Sequence, residues 1–333
     1  MSIAIITHEE CLGHDTGDTH PENRFRLEKV QTALKNSPKV DSFDFYDAPL
    51  ASDAEILLCH SAAYLDKVKT SIPSTGTVNL DEDTILSSGS LIAAQRSAGA
   101  AIKAVDLVMD KENGFKVAFA AGRPPGHHAL RDSSMGFCIF NNVALAATHA
   151  IEKYGIERVA VLDFDVHHGN GTQQILEHNG NDTLFISFQE SDIWPYNKDE
   201  NTLKTQRVLN YPMPALAPTQ LYYDAFENEI LPALHKFKPQ LVIISAGFDA
   251  HRDDPPADIL FNDEPGRQLL LEKDFDWMSM RLMDIADQYA EGRLVSVMEG
   301  GYNTDVLARC VQSHVETLLD YSIALADKNK KVA

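Results

Sequence analysis

Residues 159–171 read VAVLDFDVHHGNG, an apolar, β-branched run at 159–162 that leads straight into two carboxylates and two adjacent imidazoles. In an extended chain residues i, i+2 and i+4 share one face, so Asp163, Asp165 and His167 are expected to project together while Phe164 and Val166 face the other way. Three ligand-type groups would then converge on one point at a strand end, which is metal-site chemistry. The plainer reading is that these polar groups cap a following helix, with Asn170 and Thr172 as candidate caps.

Similar short apolar runs occur at 3–7, 117–121, 184–188, 241–245 and 294–298. Between them lie stretches with helical periodicity, such as Tyr222, Phe226, Ile230, Leu234 and Phe237, or Val306, Cys310, Val315, Leu318 and Leu319. Alternation of strand and helix predicts a parallel α/β sheet. No repeat, low-complexity tract or long linker interrupts the 333 residues, so one compact domain over 1–333 is expected.

Four of the runs end in chemically loaded segments: RPPGHH (123–128), DFDVHH (163–168), AGFDAH (246–251) and EGGY (299–302). Parallel sheets bind ligands beyond the carboxyl ends of their strands, so these segments should meet in one crevice. Asp165, His167 and Asp249 make a three-ligand set with an open position, the layout of a catalytic zinc site, although iron, cobalt or manganese would also suit it. His127 and His128 can divide labour as general base and electrostatic partner, with Asp163 and Asn170 as candidate orienting groups. Tyr302, after Gly300 and Gly301, can offer a phenolic donor to a developing oxyanion. Gly136 and Phe137 in GFCIFNN, with Trp194, can wall a slender aliphatic chain. His60 and Tyr64, four apart in an expected helix, read as structural.

A formal net charge of -20, from 29 Lys plus Arg against 49 Asp plus Glu, argues against a nucleic-acid partner. It would attract cations such as basic peptides or polyamines, but acidity also serves solubility alone. The four cysteines (Cys11, Cys59, Cys138, Cys310) are scattered without paired spacing, and no leader or membrane-length apolar span is seen, so a soluble cytoplasmic protein is expected.

Taken together, HPENRFRL (20–27), RPPGHHA, GFCIFNNVA, VLDFDVHHGNGTQ, SAGFDAH and EGGYN resemble the histone deacetylase superfamily, which includes acetylpolyamine amidohydrolases, and within it the class II branch. The likeness covers nearly all of residues 2–320 and keeps the family order. It implies a single-domain arginase/deacetylase-like α/β fold with a central, mostly parallel sheet of about eight strands and helices on both faces. It also implies a zinc-dependent hydrolase that releases acetate from an acetylated amine such as acetyl-lysine or an acetylated polyamine. By position, Asp165, His167 and Asp249 resemble the zinc ligands, and Tyr302 the carbonyl-polarising tyrosine. His128 resembles the general base and acid, His127 its electrostatic companion, and Asp163 and Asn170 their partners. Asp163, Asp165, His167, Ser187 and Phe188, partly through backbone carbonyls, resemble the family's inner potassium site. Gly136, Phe137, Trp194 and Gly300 resemble the acyl-lysine tunnel, Asp81 the rim group that grips substrate backbone, and Arg26 the internal arginine.

The chain departs from the family pattern at PYNKDEN (195–201), at Pro256 on the tunnel rim, where leucine or methionine is usual, and at 261–274, a longer connection that could cover the entrance or meet another subunit. A homo-oligomer is compatible with the sequence. The competing readings are a binuclear manganese ureohydrolase of the related arginase fold, which would need further bridging carboxylates, and a catalytically silent acyl-lysine-binding module, which would be expected to lack one of the catalytic groups.

Overall fold

The computed structural model of the chain describes residues 2–197, 202–255 and 268–332. Strands β1 (Ile3–Thr7), β2 (Phe43–Asp47), β5 (Val117–Ala120), β6 (Val159–Asp163), β7 (Thr183–Glu190), β8 (Val208–Met213), β9 (Leu241–Ala246) and β10 (Leu294–Met298) form one sheet in the order β2-β1-β5-β10-β9-β6-β7-β8. The remaining pair, β3 (Thr77–Asn79) and β4 (Ile85–Ser87), is a separate antiparallel hairpin. All pairings within the large sheet are parallel, in agreement with the expected mostly parallel eight-stranded sheet.

The expected strands are present to within two residues at their ends, and two edge strands escaped the hydropathy reading. In β2, FDFYD, only Phe43 is buried. In β8, VLNYPM, Asn210 and Pro212 interrupt the apolar run, and an edge strand tolerates proline because one side of its ladder is open.

Helices in chain order are α1 (Phe25–Lys35), α2 (Asp53–Ile56), α3 (Ala62–Ser71), α4 (Ser90–Met109), α5 (Asn142–Tyr154), α6 (Asn170–Asn179), α7 (Thr219–Ala225), α8 (Leu231–Phe237), α9 (Glu272–Tyr289) and α10 (Thr304–Val332). A π turn, Phe226–Ile230, joins α7 to α8, so the 222–237 stripe is helical with one wider turn. Alternation along each strand decides which layer a side chain joins. Ile3, Ile5, Phe119, Leu162, Ile186 and Ile244 pack under α1, α9 and α10. Ala4, Ile6, Ala118, Val161, Ile243 and Val295 pack under α4, α5 and α6 on the other face.

His60 is not helical. It precedes Ser61, the residue that caps α3, and its Nε2 accepts the Asn141 N–H at 2.9 Å, so it is structural as expected but by a different geometry. No helix among the described residues is long and apolar enough to cross a membrane.

Behind the loaded strand ends, Phe164 lies 5.6 Å from Phe248 and 5.3 Å from Phe275, ring centre to ring centre. These rings brace the loops after β6 and β9. Phe275→Ala is therefore expected to cost about 3–5 kcal/mol through lost burial and a residual cavity, measured as a lower denaturation midpoint.

Candidate active site

β5, β10, β9 and β6 are consecutive in the sheet, and each is followed by one of the four loaded segments. Gly126 and Glu299, 173 positions apart in sequence, thus meet because their strands are neighbours. The parallel arrangement puts every segment at the same end.

Asp163 is the last residue of β6, and the chain beyond it is no longer a strand. Convergence of Asp163, Asp165 and His167 comes instead from carboxylates folding the loop around themselves, a correction to the simple extended-chain argument. Asp163 Oδ1 accepts the Asp165 N–H (3.1 Å), and Asp165 Oδ1 accepts the His167 N–H (3.0 Å). From the neighbouring strands, Asp249 Oδ1 accepts the Val166 N–H (2.8 Å), and Asp165 Oδ2 accepts the Gly300 N–H (2.9 Å). The two other capping expectations also change: α6 begins at Asn170 with Gly169 before it, and Thr172 Oγ1 lies against the His127 carbonyl and the Asn141 side chain.

Ligand atoms of Asp165, His167 and Asp249, all buried, lie within 4.8 Å of one another. His167 Nδ1 is 3.1 Å from Asp165 Oδ1 and 3.2 Å from Asp249 Oδ2. Asp249 Oδ2 is nevertheless buried without a hydrogen bond. Burial and the facing Asp165 carboxylate push Asp249 up to about 6. Burial works the same way on Asp165, but His127 and His167 outweigh it and hold Asp165 well below the usual carboxylate range. A cation would relieve two carboxylates crowded in this way, so the donor set fits a divalent ion. Two glycines keep the space open: a Cβ on Gly300 would fall 2.3 Å from Asp249 Oδ2, and one on Gly247 would fall 1.9 Å from Asp165 Oδ2.

A second group of donor type, His251, Glu272 and Cys310, reads as structural. His251 Nδ1 accepts the Asp253 N–H, so Nε2 carries the proton towards Glu272, whose other oxygen takes Arg309. A ligating histidine would instead donate its remaining N–H.

His127 and His128 lie side by side, ring centres 3.8 Å apart. Glu299 Oε2 holds their loop by accepting the N–H groups of Gly126 (2.6 Å) and His127 (3.1 Å). His127 Nδ1 meets Asp163 Oδ2 at 3.0 Å, and its Nε2 lies 3.7 Å from Asp165 Oδ2. Burial alone would lower this histidine, but the Asp165 and Asp163 carboxylates raise it to about 10, so the ring is cationic. His128 Nδ1 meets the amide oxygen of Asn170 at 2.8 Å, and Asn170 Nδ2 points at Met135 Sδ. An amide oxygen only accepts, so Nδ1 carries the proton and Nε2 keeps its lone pair. Burial, then the His127 charge, hold His128 well below the usual imidazole range.

Gly136 and Phe137 adopt left-handed backbone, at φ 58° and 66°. A Cβ on Gly136 would strike both His128 Cδ2 and Trp194 Cη2 at 2.5 Å, so glycine lets the wall close on the dyad. Trp194 stands edge-on to His128 at 4.6 Å, and Tyr302 faces Phe137 at 6.0 Å. Trp194 also lies 6.1 Å from His167, so these rings pack around His128 and beside the donor set.

At the mouth, Asp81 Oδ1 accepts the N–H groups of Asp83 and Thr84 within its own turn. It is Asp83 whose carboxylate reaches the wall, accepting the Gly136 N–H at 2.9 Å. Pro256 and residues 261–267 lie outside the described residues. Of the rest of that connection, Gln268 is buried and α9 starts at Glu272.

In the sheet, Asp163 is flanked by Ser187 and Ser245, whose buried hydroxyls have no hydrogen-bond partner. Phe188 is buried among Tyr211, Tyr222 and Phe226, so only its backbone is available to the site. Arg26 is fully buried and donates from Nε to the Gly301 carbonyl (2.6 Å), from Nη2 to the Glu299 carbonyl and from Nη1 to Glu22 (3.1 Å). Arg123 grips the same Glu22 through two 2.8 Å bonds. Burial opposes the Glu22 charge, but the two guanidinium groups outweigh it and hold the carboxyl at about 2. Glu22, Asp83, Arg123, Asp254 and Glu299 had no assigned role at the sequence level. Only Arg123 and Glu299 stand inside quoted strand-end segments, and isolated charges elsewhere carry no sign that they will be buried.

A family model described as the histone deacetylase domain matches residues 20–318. The chain is 37% identical to a histone deacetylase-like amidohydrolase of Pseudomonas aeruginosa, over 92% of this chain and 79% of that protein. It is 34% identical to a probable deacetylase of Archaeoglobus fulgidus, over 92% and 82% respectively. The solved HDA15 HD domain superposes with a TM-score of 0.82 at 28% identity, covering 96% of this chain and 90% of that one. With the fold, the strand-end site and the matched residues in agreement, the chain belongs to the histone deacetylase family.

Proposed function

We propose that the protein is a zinc-dependent amidohydrolase, one catalytic domain over 1–333, that removes acetyl or a related acyl group from an acylated amine such as acetyl-lysine. The family and its relatives named as deacetylases support a hydrolase of this class. One observation carries the finer reading: the three converged donors lie beside an imidazole, His128, whose ring centre is 5.9 Å from that of His167 and whose Nε2 is free to accept a proton.

Asp165, His167 and Asp249 would hold the zinc, which when bound supplies a Lewis acid that polarises the amide carbonyl and makes water nucleophilic near neutral pH. His128 Nε2 takes a proton from the attacking water and returns it to the leaving amine, so one group serves as base and then acid. His127, cationic between Asp163 and Asp165, balances negative charge next to the reacting carbonyl. Tyr302 donates a hydrogen bond from its phenol to the developing oxyanion. Burial and the neighbouring Asp249 and Asp165 keep that phenol far above its usual pKa, hence protonated. Gly136, Phe137 and Trp194 line the acyl-amine chain, Gly300 leaves room beside the donors, and Asp81 with Asp83 forms an acidic rim for the substrate backbone or a cationic amine. The orphan Ser187 hydroxyl beside Asp163, with the Phe188 carbonyl, supports a potassium ion beneath the dyad.

Asp253 and Asp254 do not join the donor set. Asp254 binds the backbone of 302–303, and the Asp253 side chain is exposed, which leaves a binuclear manganese site without its bridging carboxylates. The tyrosine, the dyad and the three donors are all present, so nothing favours a silent binding module.

The test is acetate release by the zinc-loaded protein from an acetyl-lysine peptide and from acetylputrescine, beside Tyr302→Phe. Loss of the phenolic donor is expected to lower kcat by roughly 100-fold or more with little change in KM. Equal turnover by the mutant would remove the oxyanion role. Turnover of acetylputrescine alone would move the substrate class to polyamines.

A further inference from the structure

Tyr302 follows two glycines, and Gly301 has φ 118°, so the backbone before it has little intrinsic stiffness. Its ring rests on the Arg26 guanidinium, 5.1 Å to the centroid, and no described residue hydrogen-bonds its hydroxyl. Something other than a side-chain bond must therefore fix where the phenol points. Both carboxylate oxygens of Asp254 lie 2.9 Å from the Tyr302 N–H, and Oδ2 also accepts the Asn303 N–H at 2.9 Å. Asp254 is only 4% exposed. Its own N–H donates to the His251 carbonyl at 2.9 Å, and the Asn303 side chain donates back to the Asp253 carbonyl at 3.1 Å. Asp249 and Asp254 belong to one short loop, so the carboxylate ties the loop carrying a proposed metal donor to the segment carrying the proposed oxyanion donor.

We infer that Asp254 is a positioning residue that sets the phenol of Tyr302 against the reacting carbonyl by clamping the backbone of 302–303. The inference rests on the role proposed above for Tyr302. A buried carboxyl group accepting from two backbone N–H groups restrains their orientation, so its loss should appear in turnover rather than in substrate binding. In Asp254→Asn the shape is kept, but one oxygen becomes an NH2 group facing backbone donors.

The experiment is a double-mutant cycle in the zinc-loaded protein: kcat and KM for Asp254→Asn, Tyr302→Phe and the double mutant, with Asp253→Asn as the exposed control. Asp254→Asn is expected to lower kcat on the order of tenfold or more, with KM within about threefold, while Asp253→Asn matches the parent. In the Tyr302→Phe background the same change should cost less than about twofold, because its effect passes through the phenol. Equal losses in both backgrounds, or parental kcat in Asp254→Asn, would overturn the inference while leaving the role of Tyr302 intact. Full activity in Tyr302→Phe would instead remove the reading on which both depend. If Asp254→Asn does not fold, Asp254→Glu keeps the carboxyl group but displaces it by one methylene. It is then expected to lower kcat with the same dependence on Tyr302, and an additive loss would count against the clamp.

Discussion

His128→Ala is expected to lower kcat by roughly 100- to 10,000-fold, the range that general acid–base groups contribute. Two features of the site set this apart from other histidine losses. Nδ1 is committed to the Asn170 amide oxygen, so Nε2 is the acceptor. His127 cannot take over, because both of its nitrogens are turned to carboxylates and its ring already holds the proton. A kcat within a few-fold of the parent would show that another group moves the proton. Asn170→Asp should leave much more activity, since it keeps an acceptor opposite Nδ1.

Loss of the metal is expected to abolish turnover. A chelator should remove activity, and Zn2+ should restore it in the parent but not in His167→Ala, where a donor is missing. Losing one of three ligands should weaken affinity by more than about 100-fold, since even groups behind the ligands cost 10- to 100-fold. A second readout does not depend on catalysis. An ion that binds the folded state stabilises it by about 2.7 kcal/mol at 100 times its Kd, so Zn2+ should raise the melting temperature of the parent and hardly shift that of His167→Ala. The free energy comes from relieving the crowded Asp165 and Asp249 carboxylates. An unchanged melting temperature with full activity after chelation would sink the metal reading.

Strand ends were the most readable part of the molecule. Buried parallel strands show as unbroken apolar runs, and polar residues directly after such runs stand out because they interrupt the hydropathy. Edge strands β2 and β8 did not stand out, since their sequences break the apolar pattern with the exposed Phe45 in β2 and with a buried Asn210 and a half-buried Pro212 in β8. The mouth was the least readable part. Asp81 and Asp83 differ in sequence by two positions in an acidic turn, and only the contact of Asp83 with Gly136 separates them.

From residue types and spacing alone, the chain determined an α/β sheet and the set of residues proposed here to react: Asp163, Asp165, His167, Asp249, the His127 and His128 pair, and Tyr302. Those are local properties, carried by hydropathy period and by side-chain chemistry. What only the tertiary structure decided is how the groups are held. The order β5-β10-β9-β6 makes distant segments neighbours. Asn170 selects the His128 tautomer, Glu299 secures the dyad loop, Glu22 is shared between Arg26 and Arg123, and Asp254 clamps the backbone of Tyr302. Each of these depends on a buried charge or amide meeting a partner far away in sequence. Burial and pairing are set by the assembled fold, so no local pattern could announce them.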